Sequence, residues 1–367
     1  MKVGILTFHY GYNFGGVLQA YALQQFLTSL NIHVEIINYV PKDYNITSFY
    51  GISRRRPIKA IKKIIANILH QKKSISSFDN FRNSFLKMTE KVSTLEGLIE
   101  KSQKFDAIIV GSDQVWNPSQ HDKKVYFLDY KLPYSTKKIS YAPCCTVNVI
   151  AKENKSNLEK ALSNFDSLSV RNITTYEFVN ELIGEKCTVV LDPTFLWNFD
   201  ELLEPKRENN KYILVYIIGK ELEKKNNLAI SKIKKIYGNI PVYAIVIGAV
   251  SSVISINWVD KIIFDASPKE WLNYIKNAEF LFTDSFHGVL FAMKFKTKFT
   301  AYYFEAIRAF RFIDLNQRYK LDDYIIDNYS RISYISDEIF REKMNEVDDI
   351  NKEMIKKSIS FLKNSLL

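Results

Sequence analysis

His287 stands in a stretch, 280–290, that reads Phe280-Leu281-Phe282-Thr283-Asp284-Ser285-Phe286-His287-Gly288-Val289-Leu290. Three apolar residues and a second apolar run predict a short buried strand followed by a buried helix. Thr283, Asp284, Ser285, His287 and Gly288 would then lie on the connecting loop, where open α/β sheets bind ligands. An imidazole there can give and take protons near neutrality, since its unperturbed pKa is about 6.5. The same letters would also serve as an Asp or Ser helix cap beside a surface histidine. Asp284, too near along the chain to orient the ring easily, suits that capping role.

Other candidates could receive an anion or a polyol. Arg171 ends a short expected strand, 168–171, and its planar fork matches a carboxylate or a phosphate. Arg308 and Arg311 are further cations that either join it or face solvent. Gly15 and Gly16 precede a helix expected to start at Val17, so backbone N–H groups could approach an anion there. The loop 9–16 is neither a G-x-G-x-x-G nor a P-loop pattern. Asn13, Ser112, Asp113 and Gln114 could hold phosphate oxygens or sugar hydroxyls, or simply form turns and caps. No His/Cys/Asp group has metal-ligand spacing, so metal-independent chemistry without a cofactor is expected.

These residues need elements to position them. Strands alternate with helices along the whole chain: strand 3–8, helix 17–30, strand 34–39, then strands at 105–110, 139–142, 168–171 and 189–191. A charged stretch, 204–211, reads as a linker. A second alternation follows, with strands at 212–218, 242–247, 261–264, 280–282 and 298–302 and helices at 221–237 and 268–277. That pattern predicts an α/β protein with parallel sheets in two Rossmann-like halves facing a cleft. The expected division is 1–204, carrying a basic helical insertion near 54–75, then 205–336, then a helix 337–367 that could cross back onto the first half.

Length and charge bound the function. At 367 residues and 47% apolar composition the chain can fill two cores. A formal charge of +11 favours an anionic partner, yet no RNA- or DNA-reading motif accompanies it, so nucleic acid is disfavoured. The three cysteines, Cys144, Cys145 and Cys187, have neither zinc nor redox-motif spacing. The first apolar run is too short for a signal peptide and none is long enough to span a bilayer, so a soluble cytoplasmic protein is expected. Between 44 and 78 no acidic residue occurs, while Arg54, Arg55, Arg56, Lys59, Lys62, Lys63, Lys72 and Lys73 accumulate. A helix there, with Ile58, Ile61, Ile65, Ile68 and Leu69 on one face, could touch the anionic inner face of a membrane or pack onto its own domain.

Six segments, in order, resemble the polysaccharide pyruvyl transferase family: Asn13-Phe14-Gly15-Gly16; Phe105-Asp106-Ala107-Ile108-Ile109-Val110-Gly111-Ser112-Asp113-Gln114-Val115-Trp116-Asn117; Ser140-Tyr141-Ala142; Ser169-Val170-Arg171; Asp192-Pro193-Thr194; and Thr283-Asp284-Ser285-Phe286-His287-Gly288. The resemblance implies a fold like the two-Rossmann GT-B glycosyltransferases. It also implies transfer of a pyruvyl group from phosphoenolpyruvate to a sugar of a cell-surface polysaccharide or its lipid-linked precursor, forming a ketal. His287 and Arg171 match the family's catalytic histidine and strand-end arginine. Arg171, Ser285, Gly288, Arg308 and Arg311 become the expected donor set. Asn13, Gly15, Gly16, Ser112, Asp113 and Gln114 become the acceptor or phosphate set. Two departures stand out: Ser285-Phe286-His287 replaces the frequent Arg-Leu-His, and Cys144 and Thr146 replace a small residue and a glycine. A GT-B-type nucleotide-sugar glycosyltransferase, or a non-catalytic glycan- or anion-binding relative, would share the architecture.

Overall fold

The computed structural model describes residues 1–42, 61–117, 123–145, 155–205, 211–218, 224–247, 258–303 and 306–367, with the side chains of 61–71, 123–124, 224–226 and 306–308 left aside. Arg54–Arg56, Thr146, most of the expected linker and the expected membrane-facing side chains up to Leu69 lie outside the described residues, as does the side chain of Arg308.

The first half is built on β1 (Lys2–Leu6), α1 (Phe14–Ser29), β2 (His33–Ile36), α2 (Ile61–Phe85), α3 (Leu95–Ser102), β3 (Ala107–Val110) and β4 (Lys137–Ser140). All neighbouring strands are parallel, in the order β2-β1-β3-β4. After α4 (Lys155–Ser163), β5 (Leu168–Val170) and β6 (Cys187–Val189) pair in parallel on either side of α5 (Ile173–Ile183). Serines join the two sheets: Ser140 Oγ donates to the Ser169 carbonyl at 2.9 Å, and Ser169 Oγ to the Ser140 carbonyl at 2.8 Å. β3, Ala-Ile-Ile-Val, is buried throughout, as a parallel strand covered on both faces must be.

The second half holds six parallel strands: β7 (Ile213–Tyr216), β8 (Val242–Ile245), β9 (Lys261–Ile263), β10 (Phe280–Thr283), β11 (Phe299–Tyr302) and β12 (Ile325–Ile326). Their order is β12-β11-β10-β7-β8-β9. Between them run α6 (Lys224–Tyr237), α7 (Pro268–Asn277), α8 (Phe286–Phe295) and α9 (Ala306–Tyr319). The start of α7 is fixed by Ser267 and Glu270, which cap each other reciprocally, with Pro268 in the first turn. In each sheet the chain reverses direction of growth at one point, between β1 and β3 and between β7 and β10. Those switch points open crevices at the carboxyl ends of the strands.

The last helix, α10 (Asp337–Leu366), touches both halves. Ser358 Oγ accepts from the Leu191 N–H at 2.9 Å, Lys137 Nζ reaches the Ser365 and Leu366 carbonyls, and Asp348 pairs with Lys296 at 2.9 Å.

An apolar seam joins the halves. Phe78 of α2 stacks on Phe14 of α1 at 4.8 Å, Phe14 stacks on Trp271 of α7 at 5.2 Å, and Trp271 meets Phe291 of α8 edge-on. Ser77 adds a hydrogen bond to the Asp265 carbonyl. The carboxyl-terminal part of the inserted helix is therefore core, not a free amphipathic surface. Phe78→Ala would remove a fully buried ring from this seam, and denaturant titration is expected to show a loss of about 3–5 kcal/mol.

Candidate active site

The two switch points meet face to face. β10 ends at Thr283, whose Oγ1 donates to the Tyr216 carbonyl of β7 and accepts from the Ser285 N–H. Ser285 then starts α8, its Oγ accepting from the Gly288 N–H at 3.1 Å. This turn places His287 in the first turn of the helix, buried at 4% exposure. The sequence pattern places His287 on a loop, because polar residues before a helix cannot be told from its first turn. Asp284 does not cap the helix. Its Oδ1 accepts from the Ile218 N–H at 2.6 Å. Ser285 and Gly288, expected on the donor, are engaged with each other as the cap. A side chain at 288 would collide with Thr283 Oγ1 at 2.9 Å.

On the facing side α1 begins at Phe14, three residues earlier than expected. Asn13 is its N-cap, accepting from the Gly16 N–H at 3.2 Å. Low glycine propensity made Gly15-Gly16 look like a loop. They form the first helical turn, with the Gly16 N–H bonded to the Asn13 cap. Gly15 has a different use. A Cβ there would stand 2.1 Å from both Cγ and Nδ1 of His287, so only glycine lets the imidazole pack on α1.

Four more segments converge on the ring. Arg171 leaves the end of β5 buried at 3% exposure, and Asp192 follows β6 at 2%. Arg171 Nη1 donates to Asp192 Oδ2 at 2.6 Å; Nη2 donates to Asp113 Oδ1 at 3.1 Å and to Cys144 Sγ at 3.0 Å. Asp192 Oδ2 also lies 3.5 Å from Ser112 Oγ and 3.4 Å from His287 Nε2, the latter an ion-pair distance without hydrogen-bond alignment. Ser112 is set by Gln19, whose Oε1 accepts its N–H at 3.1 Å. Gln114, half-buried, follows Asp113 on the same turn.

Electrostatics follow from this packing. Burial by itself would raise the Asp192 carboxyl; His287, Arg171 and the Thr194 N–H overcome that and hold it well below the usual range. Burial opposes ionisation of Asp113 too, and Arg171 first, then His287 and Arg311, lower it. Burial raises the Cys144 thiol, so the group beside Arg171 is the neutral S–H form.

Aromatic contact brings in one further cation. The Phe286 ring has the Arg171 guanidinium centre at 4.5 Å and that of Arg311 at 5.6 Å. One and two turns further along α9, Asp314 accepts from the Ile173 N–H at 2.9 Å, and Arg318 donates to the Arg171 carbonyl at 2.9 Å. The second half thus caps α5 and grips the turn that carries Arg171.

The structure brings together His287, Arg171, Gly15, Ser112, Asp113 and Arg311 from the expected set; Asn13 is a cap. Sequence reasoning did not assign Asp192, Gln19, Phe286, Asp314 or Arg318 to the site. Asp192 and Phe286 carry a signal, as the Asp in front of Pro193-Thr194 and as the residue before His287 in the matched segments. Among the described residues no group of three His, Cys, Asp or Glu side chains could hold a metal ion.

Facing parallel α/β sheets with the site between their switch points define a GT-B-like protein. Solved structures at full coverage carry the same fold. The Staphylococcus aureus MnaA–UDP co-structure matches with a TM-score of 0.56 and 13% identity, over 100% of this chain and 97% of that one. The UDP-GlcNAc 2-epimerase of Neisseria meningitidis bound to UDP-GlcNAc matches with a TM-score of 0.51 and 12% identity, over 100% and 99%. No curated protein matches by sequence. The chain belongs to the polysaccharide pyruvyl transferase family, whose sequence profile matches residues 13–304.

Two outcomes test this geometry. Gly15→Ala gains up to about 1 kcal/mol of helix propensity, but the imidazole contact leaves no room for the methyl. A net loss of about 1–3 kcal/mol is expected in denaturant titration, and a stabilised variant would contradict the packing. Asp113 and Asp192 have folded pKa values below the ordinary 3.8. Their stabilisation is complete above that value and is lost as pH falls through the folded values. Stability against pH should therefore decline less steeply on the acid side in Asp192→Asn than in wild type.

Proposed function

We propose that the chain transfers the pyruvyl group of phosphoenolpyruvate to two hydroxyls of a sugar in a cell-surface polysaccharide or its lipid-linked precursor, forming a ketal. The observation that carries this reading is the meeting of His287 and Arg171 on one carboxylate, between the halves of a chain of this family. His287 delivers a proton to the donor's methylene carbon, making the carbon that bears phosphate electrophilic. One sugar hydroxyl attacks that carbon, the C–O bond to phosphate breaks, and a second hydroxyl closes the ketal. Of the two hydroxyl protons, one replaces the proton given by His287 and the other leaves with phosphate.

Arg171 and Arg311, flanking Phe286, supply the positive potential for the donor's carboxylate and phosphate. Arg311 takes the part left open by Ser285. Asp113, Ser112 and Gln114 face the acceptor across the crevice. His287 is nearly enclosed, so donor binding involves parting of the two halves, read as domains 1–204 and 205–336 bridged by the last helix. No cofactor is required by this chemistry. Among the described residues no helix is long and apolar enough to cross a membrane. A cytoplasmic enzyme acting at the inner membrane face fits a lipid-linked acceptor.

A second reading has its own support: solved neighbours on this fold are described with UDP or UDP-sugars bound. A nucleotide-sugar glycosyltransferase would be stabilised in thermal-shift measurements by nucleotide sugars and not by phosphoenolpyruvate, whereas pyruvyl transfer requires the reverse. His287→Ala is expected to lower kcat for pyruvylation by about 10²–10⁴-fold. Retention within a few-fold of wild type would remove its acid/base role.

A further inference from the structure

We infer that Asp192 is the positioning residue of this site: one carboxylate oxygen holds the Arg171 guanidinium and faces His287 Nε2 at ion-pair distance, which favours the ring with its proton on Nε2. Three observations carry it. The carboxylate cannot swing, because Oδ1 accepts from both the N–H and the hydroxyl of Thr194, at 3.0 and 2.8 Å. Its backbone is anchored one residue earlier: the Leu191 N–H donates to Ser358 Oγ, and the Leu191 carbonyl accepts from Tyr141 at 3.0 Å. Oδ2 is thereby fixed between Arg171 Nη1 at 2.6 Å and His287 Nε2 at 3.4 Å.

Among the described residues the ring has no second carboxylate at ion-pair distance. Its Nδ1 edge lies on Gly15, which has no side chain. Asp284, three residues away, accepts from the Ile218 N–H. The groups facing the ring from packed elements are Asp192 and, through it, Arg171, Ser112 and Asp113. A proton on Nε2 leaves the lone pair on Nδ1, and an imidazolium formed there gains a carboxylate that is already in place. Thr194, Ser358 and Tyr141 become the supports that keep this carboxylate at the seam.

The inference rests on the proposed pyruvyl transfer only in its kinetic arm. In full-length protein labelled with ¹⁵N-histidine, two-bond ¹H–¹⁵N correlations report the tautomer, and the His287 signals are identified by their loss in His287→Gln. Wild type should show the neutral ring protonated on Nε2, and Asp192→Asn, which replaces the carboxylate charge facing Nε2 by a neutral amide, should shift the ring toward the Nδ1-protonated form. In kinetics, Asp192→Asn should lower kcat by about 10²-fold while KM for phosphoenolpyruvate changes by less than about threefold. A wild-type ring protonated on Nδ1, ring signals unmoved by Asp192→Asn, or an unchanged kcat overturns the assignment. If that variant does not fold, the wild-type tautomer decides. If wild type transfers no pyruvyl group, the proposed reaction fails while the ring signals still decide the positioning role.

Discussion

An ionised carboxylate taken out of water loses several kcal/mol of hydration unless cations and hydrogen bonds replace it. At Asp192 that requirement organises the centre of this molecule. Arg171 compensates its charge, His287 Nε2 faces the same oxygen, and Thr194 satisfies the second oxygen. Each partner comes from a different element: the end of β5, the first turn of α8 and the turn after β6. The last helix fixes the residue before Asp192 through Ser358. Pulling any of these elements away would leave a buried charge without its partner, so the site and the packing of the two halves are one problem.

The apolar seam solves the rest of that problem. Phe14 sits one residue before Gly15, and its stacking between Phe78 and Trp271 sets where the first turn of α1 lies. That turn in turn determines where the His287 ring can rest. On the opposite side of the site, Asp314 and Arg318 of α9 hold the turn bearing Arg171. A histidine from one half and an arginine from the other are thus brought together by contacts that neither half makes alone.

The fold is shared with a UDP-GlcNAc 2-epimerase at 12% identity, which shows how little the architecture dictates about chemistry. What distinguishes this chain is the set of side chains at the two switch points, and among them Ser285 and Cys144. Ser285 is a helix cap, a role its hydroxyl fills and an arginine would not. Cys144, buried against Arg171, contributes a neutral acceptor where a charged group would disturb the balance between two carboxylates and one guanidinium.

The sequence by itself determined the alternation of strands and helices, the parallel sheets, the α/β class and the helix 268–277 to the residue. Hydrophobic period and capping residues are local, so they can be read along the chain. It also marked His287 and Arg171, because polar groups directly after buried strands fall at the carboxyl edge of a parallel sheet. It could not show that Gly15-Gly16 is a helical turn rather than a loop, since the reason for glycine there is a ring 272 positions away. Nor could it pair Asp192 with His287, or Asp314 with the start of α5. Those partners are chosen by which strand ends face each other across the seam, and only the packed tertiary structure decides that.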